Sequence, residues 1–154
     1  MKMKIYLVII ILLVVTISAG FYCVYLYKID TIYATRYNEV FGSYDINKVD
    51  EYLNSETQII YKGETKTYKE LRENIQSAFQ EREYEMPKGS SYGHGNNKFV
   101  DGIQKIGIQS YIKSDKHYSD GLQMEIEHVG IFSVRVKSLQ SDEDFFGYLF
   151  YGNK

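Results

Sequence analysis

The 154 residues include one cysteine, one proline and no tryptophan. A lone thiol, Cys23, excludes an intramolecular disulfide and a cysteine-built zinc site, so the fold must be held by its core. The residues before it, Gly20-Phe21-Tyr22, do not form the small-residue box that precedes a lipidated cysteine, and Cys23 reads as an apolar-like residue of its segment. With one proline, no repeat and no low-complexity linker, nothing marks a second domain. Charge is also missing where it matters most: from Ile5 to Tyr27 there is no Asp, Glu, Lys, Arg or His. Elsewhere there is no basic stripe of the kind that binds nucleic acid, and no polybasic cluster for lipid headgroups. The net charge is -2.

The uncharged run is the most informative feature present. A bilayer core about 30 Å thick takes roughly 20 apolar residues in a helix. Residues 5–27 meet that length, which predicts a transmembrane helix preceded by a cytoplasmic stub at 1–4. Ser18-Ala19-Gly20 offers a signal-peptidase alternative. Phe21, Tyr22, Val24, Tyr25, Leu26 and Tyr27 continue the apolar character past it, which favours an uncleaved anchor, and their rings suit the membrane–water interface. Lys2 and Lys4 on one flank, against Lys28 and Asp30 on the other, place the N-terminus in the cytoplasm. The expectation is a single-pass cell-membrane protein with an extracytoplasmic α+β domain at 28–154. Usage of Lys over Arg, with much Ile and Tyr, is that of a bacterial, AT-rich genome.

Tyrosine is abundant, at 16 against 8 phenylalanines. Its ring is apolar and its tip polar, which suits sheet faces and cavity walls. Helical spacing joins Ile29, Ile32, Tyr33, Tyr37, Val40, Phe41 and Tyr44, either continuing from the anchor or breaking near Asp30. Asp45 caps a short second helix with Ile46, Val49 and Leu53 on one face. Thr57 to Tyr61 is β-branched and aromatic, a strand turned by Gly63. Thr67 and Glu70 form a capping box for a third helix, with Tyr68, Leu71, Ile75, Ala78, Phe79 and Arg82 along one face. A Gly-, Ser- and Asn-rich loop at 86–97 follows. The period then drops to two. Ile106, Ile108 and Ile112 alternate with polar residues; so do Leu122, Met124 and Ile126, and then Phe132, Val134 and Val136. Residues 122–139 are either one strand bent at Gly130 or a hairpin through His128-Val129-Gly130. The broken alternation at Val129 and Ile131 favours the hairpin. Asp144 to Tyr151 reads as a last aromatic strand.

Particular stretches resemble the nuclear transport factor 2-like superfamily. Tyr37-Asn38-Glu39-Val40-Phe41-Gly42-Ser43-Tyr44-Asp45 is similar to its first helix and the turn into the second. Val49 to Leu53 followed by Thr57 to Tyr61 is similar to its passage into the first strand, and Thr67 to Ile75 to its capped third helix. The likeness runs from Thr31 to Tyr151 and departs from the pattern at the long glycine-serine loop. It implies an α+β cone: after the N-terminal transmembrane helix, three helices packed on a curved antiparallel sheet. Members include polyketide cyclase-like enzymes, dehydratases, small-ligand binders and the cone-shaped, N-terminally anchored subunits of secretion and conjugation machines.

Of the three histidines, His94 lies in the glycine-rich loop and His117 in a charged turn, both read as solvated. His128 is the ligand-binding candidate. On the Met124–Ile126 face of its strand an imidazole would enter an apolar cavity, where burial favours the neutral base. Glu125 and Glu127 point to the opposite face and read as a solvated stripe, and Asp142-Glu143-Asp144 as an acidic turn without calcium-loop spacing. No phosphate loop, dinucleotide fingerprint, zinc motif or nucleophile elbow occurs, so no catalytic residue, metal site or cofactor is assigned. The expected function is a membrane-tethered extracytoplasmic binding or scaffold module, whose partners are the membrane through 5–27 and a protein or a small apolar ligand. The alternatives are a cyclase or isomerase using the cone cavity and a structural subunit of a conjugation or secretion complex.

Overall fold

A single helix, α1 (Lys2–Gly42), carries the chain through both of its expected environments without a break at Asp30. Its 41 residues make a rod about 60 Å long. The computed structural model describes residues 2–82, 99–100, 102–111, 119–130 and 133–152. In the first half of α1 the large apolar side chains from Ile5 to Val24 are 50–73% exposed. In the second half Ala34, Tyr37, Asn38 and Phe41, at helical spacing, are buried. The helix stops at Tyr44, whose left-handed backbone (φ 55°) turns the chain while the Ser43 hydroxyl donates to the Val40 carbonyl at 2.7 Å.

The remaining elements are α2 (Ile46–Tyr52), β1 (Gln58–Tyr61), β2 (Glu64–Thr67), α3 (Tyr68–Glu81), β3 (Phe99–Val100), β4 (Ile103–Tyr111), β5 (Ser119–His128), β6 (Val134–Ser141) and α4 (Asp144–Tyr151). The strands form one sheet in the order β2-β1-β6-β5-β4-β3. All neighbouring pairs are antiparallel except β1 and β6, which run parallel. The sheet is therefore mixed. Strands β1 and β6 are far apart in sequence, so no tight turn obliges them to oppose each other. The expected loop at 86–97, with His94, lies outside the described residues, as do Ile112, His117 and Phe132.

The helix caps follow the sequence. Asp45 accepts from the Asn47 amide at 3.0 Å. The Thr67 amide and hydroxyl both donate to the Glu70 carboxylate at 2.7 Å, which lowers the Glu70 pKa. Tyr68, Leu71, Ile75, Ala78 and Phe79 are buried as their spacing predicts. Arg82 leaves that face: it is the left-handed C-cap (φ 51°), with its guanidinium 4.8 Å over the Tyr44 ring.

Strands β5 and β6 form a hairpin, with Val129 and Gly130 donating to the Ser133 carbonyl. His128 faces Val134 across the ladder. Directly opposed residues share a face, so a hairpin in this register puts even-numbered residues of both strands on one side, as a single bent strand would. Beyond Val136 the parity changes, because Lys137 is an extra residue: Ile126 pairs with Val136 but Glu125 pairs with Ser138. That bulge brings Leu139 into the core beside Met124.

The expected last strand is instead the helix α4. Phe145 to Phe150 are buried on every side, so the run carries no period to separate helix from strand. Its ends decide. Glu143 is the N-cap residue, its amide donating to Ser141 Oγ at 3.2 Å, and Gly152 (φ 65°) is a left-handed C-cap. The acidic turn before it supplies charge of the favourable sign at a helix start, and Lys62 pairs with Asp144 at 3.1 Å. Helix α4 lies against β1, where Gly147 has no room for a side chain: a Cβ would come within 2.6 Å of the Tyr61 hydroxyl and closer still to its ring. Tyr61 is itself wedged between Phe146 and Tyr151, at ring separations of 6.4 and 5.4 Å.

Gly147→Ala should therefore destabilise the fold, although alanine is the better helix former. Overpacking of about 1–3 kcal/mol outweighs a propensity gain of about 1 kcal/mol. A lowered thermal midpoint for Gly147→Ala, largely restored in the Tyr61→Leu background, is the expected result in a calorimetric comparison.

Candidate functional site

The interior between sheet and helices is occupied by rings. Phe41 sits 5.7 Å from Phe150 and 6.5 Å from Phe79, and Phe146 sits 4.5 Å from Phe150, with Met124, Ile126 and Leu139 fully buried beneath them. Among the described residues, two concavities lie outside that core. One of about 180 Å³ is bounded by Tyr33 and Arg36 of α1, Asp50 to Asn54 at the end of α2, and Val134 to Val136 of β6. A second, of about 290 Å³, continues beyond Arg135 to Glu56, Gln58 and Lys137. Asn54, Arg135 and Val136 border both, so together they make one groove divided by the Arg135 side chain.

Its floor is tied down by side-chain to backbone bonds. The Tyr33 hydroxyl donates to the Val134 carbonyl at 3.3 Å and the Thr57 hydroxyl to the Val136 carbonyl at 2.9 Å. These residues of β6 precede Ser138, where pairing with β1 begins, so hydroxyls serve carbonyls that the neighbouring strand does not reach. The Tyr52 hydroxyl donates to the Tyr33 carbonyl at 3.2 Å and touches Met124 Sδ at 3.5 Å. Burial raises the pKa of Tyr52 well above its ordinary value and that of Tyr33 less, so both remain neutral donors.

The walls are charged. Arg36 stands 5.9 Å over the Tyr52 ring. Arg135 is paired to Glu127 at 2.6 Å across the ladder, and Lys105 to Glu125 at 2.7 Å, which accounts for the glutamate stripe expected on this face. Asp50 receives both Nε and a terminal nitrogen of Arg72 at 2.7 Å, and the Tyr68 hydroxyl at 2.5 Å. The Arg72 hydrogen bonds lower the Asp50 pKa, against a smaller upward push from desolvation, and Tyr68 contributes in the same downward direction. Desolvation, then the bond to Asp50, raises the Tyr68 pKa. Chemically the groove offers paired guanidinium and carboxylate groups over an aromatic floor.

His128 ends β5, half-buried on the core-facing side with Met124 and Ile126. Its amide donates to the Gly102 carbonyl at 2.8 Å, and its Nε2 stands 3.4 Å from the amide oxygen of the buried Gln104. It does not border the groove described here. The groove residues come from three stretches far apart in the chain. No local spacing announces them, and the Asp50–Arg72 pair joins positions 22 residues apart.

Asp50→Asn measures that pair. A carboxyl with a lowered folded-state pKa stabilises the protein above the ordinary aspartate value of about 3.9 and loses that contribution as pH falls through the folded value. Because the pair is partly solvated, the contribution is below about 1 kcal/mol. The variant should melt slightly lower at pH 7 and lose less stability than the parent on acidification below about pH 4, as followed by circular dichroism.

No family model matches the sequence, and no curated protein matches it. Among solved structures the chain is similar to an NTF2-like protein of unknown function from Shewanella baltica OS155, with a TM-score of 0.51, 12% identity, and coverage of 75% of this chain and 91% of that one. It is also similar to Rd1NTF2_04 with long sheet, with a TM-score of 0.51, 14% identity, and coverage of 71% and 95%. At such identities the likeness is one of architecture, and function must be argued from the site. The shared helix order and mixed curved sheet make the folded part of this chain an α+β cone of the nuclear transport factor 2-like fold.

Proposed function

We propose that the protein is a membrane-tethered extracytoplasmic module that recognises a partner protein through its surface. One observation carries the tether: α1 is long and apolar enough from Ile5 to Tyr25 to cross a membrane, leaves none of that stretch buried, and then enters the core of the cone without interruption. A cleaved signal would remove the front of a helix whose rear half is structural. The lysines ahead of Ile5 favour a cytoplasmic N-terminus, which leaves the cone outside.

The choice of a protein partner rests on the aromatic packing of the core and on the charged groove beside α2.

In cells expressing the chain with a C-terminal tag, alkaline carbonate should leave it in the membrane pellet and detergent should release it. Mass spectrometry should find residues 1–20 still attached, and protease added outside the cytoplasmic membrane should remove the tag. A soluble product beginning near Phe21 would overturn the tether.

A further inference from the structure

Outside the stretch from Ile5 to Val24, the large apolar side chains exposed among the described residues are Ile32 (46%) and Val129 (54%). They belong to one end of the cone. Tyr33, next to Ile32, bonds the carbonyl of Val134, the first residue of β6, and Val129 stands in the turn immediately before that strand. The His128 amide, bonded to the Gly102 carbonyl, brings the turn between β3 and β4 to the same end. On α1 the outward face continues from Phe21 and Val24 through Lys28 to Ile32, each step three or four residues, and all four are exposed. Ile32 is five residues beyond Tyr27, where the uncharged run ends, about 7–8 Å along an unbroken helix. That distance places it at the outer part of the headgroup layer, which adds roughly 5–8 Å to each side of a 30 Å core. A helix without a hinge fixes this height, since no linker lets the domain drift away.

We infer that the end of the cone carrying Ile32 and the Val129 turn seats in the headgroup layer of the bilayer that α1 crosses, holding the cone in one orientation against the membrane. The occupant of this apolar patch is the lipid interface, argued from the continuity of the exposed α1 face with the spanning stretch. Lys28, midway along that face, is placed to meet lipid phosphate. The inference rests on the proposed tether. It adds a second membrane contact, by a turn about 100 residues away in sequence from the helix it adjoins.

The test uses full-length protein in vesicles of phosphatidylcholine and phosphatidylglycerol, with an environment-sensitive fluorophore on single cysteines and headgroup nitroxide lipids as quencher. Three sites suffice: native Cys23; Val129→Cys in a Cys23→Ser background; and Gln140→Cys in the same background, an exposed position near the other end of β6. The expected result is quenching of the Val129→Cys label by about twofold or more, as for a group lying within 5–10 Å of the headgroup–acyl boundary, with the Gln140→Cys label unaffected. An unquenched Val129→Cys label beside a Cys23 label that responds to acyl-chain nitroxides would overturn the seating and leave the tether intact. A Cys23 label blind to every nitroxide lipid would overturn both. Equal quenching at positions 129 and 140 would overturn the proposed orientation.

Discussion

Every other feature is arranged around a rod of backbone hydrogen bonds that passes unbroken from one kind of surroundings into another. Over its first half α1 presents apolar side chains in all directions; over its second it buries one stripe against the sheet and the other helices. The backbone is the same throughout, so the change is made entirely by side chains. Interrupting the helix at the junction would have left up to four donors and four acceptors to satisfy where the core begins. Continuity avoids that cost and makes the fold and its proposed anchor mechanically one piece.

The core that receives this helix solves the problem set by a single cysteine. Aromatic rings fill the space a smaller side chain would leave open, and tyrosine hydroxyls act as long-range ties. Tyr33 reaches β6, Tyr52 reaches α1, and the Tyr151 hydroxyl shares its one proton between the carbonyls of Ile59 and Glu64, each at 2.9 Å. Each tie joins elements distant in sequence and contributes roughly 0.5–1.5 kcal/mol. In these three positions tyrosine is used twice, for area from the ring and for a directed bond from the tip.

How much of this was legible follows from which signals are local. The capping box at Thr67 and Glu70, the cap at Asp45 and the buried face of α3 are set by neighbours three or four residues apart, and the sequence states them openly. Helix α4 was misread because Phe145 to Phe150 are enclosed from all sides and lack a period. Strand β2, Glu-Thr-Lys-Thr, was missed because it is polar on both faces and carries no apolar alternation. The Lys137 bulge shifts the pattern within a strand, which a fixed period of two cannot register. The groove was invisible for a different reason: Arg36, Asp50 and Arg135 meet only through tertiary folding, whereas attention falls naturally on histidines.

Strand β2 has a consequence of its own. It closes one side of the sheet with four residues, and the Glu64 carbonyl is already taken by Tyr151. Lys66 sits between its pair with Glu64 at 2.8 Å and the Tyr151 ring at 5.1 Å. On the proposed tether, molecules sharing a two-dimensional film meet one another far more often than in bulk solution, and an unguarded border would invite them to knit into fibrils. A short, charged, partly occupied border discourages that growth.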